Sequence, residues 1–164
     1  AWRVFRRCRS INSLEILLSA VGEDERSSIV EKEAATILKA SKFNSSDAVF
    51  LIETGQVDSA DKYIISNAKQ LNGDYYSSLL DLAKAMLKHD RLVAASAIYR
   101  ALLDSILARA KSKTYHHGVN YLKKLDSLAL KIGDWKEVDA HSLYVKNLRQ
   151  KHKLKYSFWS QYDP

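Results

Sequence analysis

Five histidines, a single cysteine and a concentration of lysine and arginine are the side chains of this 164-residue chain suited to chemistry. The adjacent pair His116-His117, with His141 and His152 further on, raises a metal site to which Asp134 or Asp139 would add a carboxylate. Neighbouring positions on a helix point about 100° apart, so an adjacent pair chelates poorly, and no HxxxH or HExxH spacing occurs. The histidines therefore read as capping or hydrogen-bonding groups near Gly118, and no metal or cofactor is expected. Cys8 lies among Arg3, Arg6, Arg7 and Arg9 on a helical stripe with Trp2 and Phe5. Arginines favour a thiolate, but with no histidine nearby the stripe predicts burial rather than nucleophilic work. Neither GxSxG nor a glycine-rich phosphate loop of the GxxxxGKS/T or GxGxxG kind is present. Carboxylates fall at turns and helix starts, where capping explains them, so no catalytic residues and no enzyme are expected.

The basic residues are the more suggestive set. Residues 1–82 hold 10 Lys+Arg against 12 Asp+Glu, whereas residues 83–164 hold 16 against 7, so the second half carries the positive charge. From Arg109 to Lys155 there are 12 Lys+Arg and four acids, with Tyr115, His116, Tyr121, Trp135 and Tyr144 interleaved. Such a stretch can track a phosphate backbone and stack bases, and it equally attracts an acidic protein surface or anionic lipid. A solvated helix face accounts for Lys123, Lys124 and Lys131, which fall opposite Leu122, Leu125 and Leu128. Arg149, Lys151, Lys153 and Lys155 gather near the end of the last long helix, where positive charge is favourable against the helix dipole.

Helices must position these groups. Five glycines and one proline are few breakers, β-branched alternation is nearly absent, and the apolar run Leu14–Val21 is too short to span a bilayer. One cysteine excludes an internal disulfide, which points to a cytoplasmic protein. A helix is expected near Trp2, and a second beginning at Asn12 or Ser13 and ended by Gly22. A third follows the Glu23-Asp24-Glu25 cluster, using Ile29, Ala34, Ile37 and Leu38 as its apolar side. Ser45, Ser46 and Asp47 are cap candidates for the helix carrying Val49, Phe50 and Ile52, and Asp74 for the helix after Gly73.

From there a hairpin signature recurs about every 35 residues. Leu79, Leu82, Ala83 and Met86 fall at helical spacing, a polar turn follows, and Ala95, Tyr99 and Leu102 resume the pattern. A shift of 35 maps Gly55 onto Asp90, Ala60 onto Ala95 and Ile64 onto Tyr99. Hairpins are expected near 46–71, 74–110 and 115–151, the third turning at Gly133-Asp134-Trp135 and repeating the alanine-to-tyrosine interval as Ala140 and Tyr144.

The series Ala108-Arg109-Ala110-Lys111-Ser112-Lys113, Tyr115, His117, Tyr121-Leu122-Lys123-Lys124-Leu125, Asp134-Trp135, His141, Tyr144, Leu148-Arg149, His152 and Ser157-Phe158-Trp159 carries a family likeness. Residues 74–160 resemble an uncharacterised, mostly proteobacterial domain-of-unknown-function family of longer helical proteins, similar to the C-terminal regions of SWIM zinc finger proteins; residues 1–73 match loosely. The resemblance implies a tetratricopeptide-like, C-terminal part of a longer bacterial cytoplasmic protein, and no activity. The cysteines and histidine of a SWIM finger are absent, so zinc binding does not follow.

The expected fold is all-α, a tetratricopeptide-like helical-hairpin stack, or short α-solenoid, of about seven to nine helices forming one domain over residues 1–164. Its expected role is a non-enzymatic protein-interaction or scaffold domain, with grooves between hairpins that receive a segment of an acidic partner. The alternative is a nucleic-acid-binding helical module using the basic half. Tyr115, Tyr121, Lys124 and Arg149 are the expected contact residues, Phe158 and Trp159 the C-terminal cap, and Trp2 with Phe5 a surface for self-association. No membrane partner is expected.

Overall fold

The computed structural model describes residues 1–163, which form ten α-helices with short 3-10 turns and no strand. Ten exceeds the expected seven to nine because the last helix, of seven residues, is too short to leave a clear periodic signal. The chain divides into two compact units, residues 1–70 and residues from Leu71 onward.

The first unit contains α1 (Trp2–Arg7), α2 (Ile11–Val21), α3 (Arg26–Leu38), α4 (Ser45–Glu53) and α5 (Val57–Ser66). Ser10, not Asn12 or Ser13, caps α2: its hydroxyl accepts from the Ser13 amide at 3.1 Å, while the Ser13 hydroxyl accepts from the Ser10 amide at 3.0 Å. Asn44 caps α4 by accepting from the Ser46 amide at 2.9 Å. Asp47, read as a cap, is instead buried and bonded to Arg9 at 3.0 Å. Phe5, Leu14, Leu17, Ile37, Phe50 and Ile64 fill the core, with Phe5 edge-on to Phe50 at 5.7 Å. Phe5 is therefore withdrawn from any outward stripe, while Trp2 keeps 39% of its surface exposed. Cys8 is exposed, against the expectation of burial, because α1 ends at Arg7 and Cys8 turns into an extended conformation that leaves the helical stripe.

The second unit contains α6 (Tyr76–Lys88), α7 (Leu92–Arg109), α8 (Tyr115–Ala129), α9 (His141–Lys151) and α10 (Tyr156–Tyr162). α7 is its centre, with an unbroken buried run from Val93 to Arg100. Leu79, Leu82, Ala83 and Met86 of α6, and Leu122, Leu125 and Leu128 of α8, are buried with Leu102 and Leu103 of α7. Asp74 does not cap α6, which begins two residues later; its carboxylate accepts from the Ser105 hydroxyl at 2.6 Å and the Arg109 guanidinium at 3.1 Å.

The α4–α5 and α6–α7 turns have the same local geometry. Gly55 and Asp90 both adopt positive φ, +78° and +57°, and the amide of the next residue closes each turn, Gln56 onto the Leu51 carbonyl at 2.7 Å and Arg91 onto the Met86 carbonyl at 2.8 Å. Ala60 and Ala95 then occupy matching, fully buried positions. The third pair departs from the pattern. α8 ends at Ala129, so Ile132 lies outside it, and the connection runs over residues 130–140. Ala140 is an exposed cap residue before α9 rather than a small residue inside a hairpin, so its interval to Tyr144 does not repeat Ala95–Tyr99.

The last helix closes the core of this unit. Phe158 is fully buried, edge-on to Tyr115 at 5.8 Å. It seats over Gly118, where an added Cβ would lie 3.1 Å from its ring. Phe158 is thus a C-terminal cover, and Trp159, half-buried, holds α10 down by donating its indole N–H to the His152 carbonyl at 2.9 Å.

Candidate interaction surface

The second unit exposes tyrosines at the start of α6 and on α8, with Tyr76 close enough to Tyr121 for their phenols to interact. Tyr75 and Tyr76 are 71% and 64% exposed. They occupy adjacent positions at the helix entrance, where the two side chains cannot both turn toward the core. Tyr121 on α8 is half-exposed, with its ring 5.7 Å from that of buried Tyr99 on α7. Burial, and then the neighbouring Tyr76 phenol, push the Tyr121 hydroxyl above its ordinary pKa. Lys124, three residues along α8 and hence on the same side, is exposed and adds a positive charge beside the rings. Two of the four expected contact residues, Tyr121 and Lys124, are thus near each other and accessible. The expectation did not include Tyr75 and Tyr76; adjacent aromatics just after a glycine-aspartate break were the available signal.

Of the other two expected contacts, Tyr115 is buried and Arg149 is exposed but already paired within its own unit. Tyr115 is 5% exposed and belongs to the Phe158 cluster. Arg149 is spent on α10: it pairs with Asp163 at 2.7 Å and lies over the Trp159 ring at 4.4 Å. Sequence spacing could not reveal this, because both assignments depend on where α10 packs.

A polar and aromatic network joins the 130–140 connection, α9 and α10 to α7 and α8. Arg100 of α7 is buried between the rings of Trp135 and Tyr144, 4.8 and 4.4 Å from its guanidinium, and donates to the Asp139 carbonyl at 2.7 Å. Its other two guanidinium nitrogens have no hydrogen-bond partner among the described residues, and burial lowers its pKa. The Tyr144 hydroxyl donates to Asp104 at 2.9 Å, and burial followed by the Asp104 charge drives its pKa far above the ordinary value. Asp126 of α8 bridges two elements, with one oxygen 2.6 Å from His141 Nε2 and the other accepting from the Tyr162 hydroxyl at 2.7 Å. Burial, then that bond, push Tyr162 up to about 12. Trp135 stacks on His141 with the planes 13° apart. The chemistry of this network is anchoring: its hydrogen bonds and stacked rings fix α9 and α10 in place.

His116 and His117 are exposed, their rings 3.9 Å apart. Among the described residues no group of three or more His, Cys, Asp or Glu side chains is arranged to hold a metal ion. Nor is any helix among them long and apolar enough to cross a membrane.

Residues 1–161 match a family of unknown function (DUF6880), and the chain belongs to that family. The match includes residues 1–73, where the sequence likeness had been loose. No curated protein and no solved structure matches the chain.

Proposed function

We propose that this chain is a non-enzymatic interaction or scaffold domain whose second unit receives an acidic segment of a protein partner. The observation that carries the reading is the Tyr75, Tyr76, Tyr121 and Lys124 surface on a unit holding 16 Lys+Arg against 9 Asp+Glu. Tyrosine supplies contact area with a hydrogen-bonding tip at low entropic cost, and the lysines steer an oppositely charged segment into place. The shared turn geometry at Gly55 and Asp90 supports a tetratricopeptide-like hairpin repeat. The same reading makes the chain part of a longer bacterial cytoplasmic protein, similar to the C-terminal regions of SWIM zinc finger proteins.

A peptide library selected on the immobilised chain tests the proposal. It should enrich acidic sequences, and Tyr121→Ala or Lys124→Glu should weaken the selected peptides about tenfold. Enrichment without regard to charge, or affinities unmoved by both substitutions, refutes it. The net charge and exposed tyrosines of this unit also favour a second reading, a nucleic-acid-binding module. Titration of single- and double-stranded oligonucleotides at about 50 mM salt decides it, since phosphate contacts are strongest at low ionic strength. Absence of binding there discards the second reading. Self-association through the N-terminal stripe would rest on Trp2 alone, and a monomer by sedimentation discards it.

A further inference from the structure

The end of α7 and the turn between α9 and α10 enclose an open cavity of about 380 Å³. Leu107 and Ala108 line it from α7, and the stretch from Gln150 to Lys155 lines it from the opposite side. Lys151, Lys153 and Lys155 thus border one small space, and none forms an ion pair with a described carboxylate. Asp104, which feels the charge of Lys151, is already bonded to Tyr144. Asp104 offsets part of the charge of Lys151, and burial, then Lys151 and Lys155, lower the pKa of His152.

Stability explains one of the three lysines. Lys151 closes α9, where a cation suits the helix dipole. Lys153 lies beyond that helix, and Lys155 is the cap residue of α10, a position where helices prefer Ser, Thr, Asp or Asn. Between these lysines Leu154 is 69% exposed, so the rim also presents an aliphatic side chain to solvent.

We propose that this cavity is a binding site for an acidic, leucine-bearing segment of a partner protein, whose carboxylates meet Lys151, Lys153 and Lys155 while its aliphatic side chain covers Leu154 and Ala108. The site rests on the reading of the chain as an acceptor of acidic segments and adds to it a second contact point whose lining includes neither Tyr121 nor Lys124. A protein segment fits better than a nucleic acid because no Phe, Tyr or Trp lines the cavity, leaving bases nothing to stack on.

The test uses the full chain and a labelled Glu-Glu-Leu-Glu-Glu-Leu peptide, with hexaglutamate and a six-nucleotide oligothymidine as comparators, read by anisotropy. The leucine-bearing peptide should bind most tightly, Lys151→Glu with Lys153→Glu should weaken it about tenfold or more, and Lys124→Glu should change it less than about twofold. Leu154→Ser, at an exposed position, should weaken that peptide but not hexaglutamate, and thermal melts should show both variants folded. Equal binding by wild type and the double variant overturns the site, as does tighter, lysine-dependent binding of the oligonucleotide. If the peptide fails to bind while library-selected acidic sequences do, only this site is wrong. If neither binds, the interaction reading falls with it.

Discussion

Each unit withdraws an arginine from most of its solvent, and the two do so by opposite chemistry. In the first unit Arg9 lies between two buried carboxylates, Glu33 at 2.7 Å and Asp47 at 3.0 Å, with Arg6 also reaching Glu33 at 3.3 Å. Burial alone would lower the Arg9 pKa, yet its bonds to Glu33 and Asp47 raise it. In the second unit Arg100 has aromatic faces where Arg9 has carboxylates, and burial prevails. The charge totals follow the same division, 10 Lys+Arg against 10 Asp+Glu in residues 1–70 and 16 against 9 in residues 71–164. The first unit balances its charges in number and holds two of its carboxylates on Arg9, whereas the second carries an excess of positive charge.

Arg9→Met is the harshest probe of this contrast. It strands Asp47 and leaves Glu33, 2% exposed, with Arg6 as its remaining cation, and should cost about 3–5 kcal/mol in urea unfolding followed by tryptophan fluorescence. Arg100→Met removes a cation whose desolvation was poorly offset, and should cost only about 1–2 kcal/mol, the worth of two ring contacts and one hydrogen bond. Equal losses would break the comparison and show that an aromatic sandwich is as demanding as a carboxylate cage.

The paired turns sharpen it on a smaller scale. Asp90→Gly should stabilise by about 0.5–1 kcal/mol, because φ of +57° suits glycine better, while Gly55→Ala at +78° should destabilise by a similar amount. If both substitutions moved the unfolding midpoint in the same direction, the turns would not be equivalent.

The smallest effect is a pH dependence confined to the second unit. His152 has a folded pKa below its unfolded value of 6.5. The folded state therefore holds its proton less tightly, so this contribution to stability is full above the unfolded pKa and is lost as pH falls through the folded one. His152→Gln should flatten that part of the acid limb by about 1 kcal/mol or less, measured as unfolding midpoints from pH 7 downward. An unchanged slope removes His152 from the account.

Local structure was readable wherever short-range rules sufficed. Gly22 and Gly55 end their helices as read, and Leu79, Leu82, Ala83 and Met86 are buried as their spacing required. The cap of α2 lies two to three residues before the expected Asn12 or Ser13 because Ser10 and Ser13 share the task and either reads as a starting point. The errors grew where distant segments meet. Ala140 and Tyr144 mimic a hairpin interval, but the connection before them is anchored by Arg100 through the Asp139 carbonyl and the Trp135 ring, which no periodicity encodes. Of the expected surface, Tyr121 and Lys124 are accessible because α8 keeps its period, whereas Tyr115 is buried against α10 and Arg149, though exposed, pairs with Asp163 after it.

That claim by α10 sets an order in time. Gly118 and the face around it are made before the aromatic ring that covers them, since Phe158 is 40 residues further along the chain. At about 5–20 residues per second of synthesis, that face waits roughly 2–8 s for its cover. During this interval the second unit presents Tyr115 and the Gly118 notch to whatever meets the growing chain, so its last helix decides when the unit stops being adhesive.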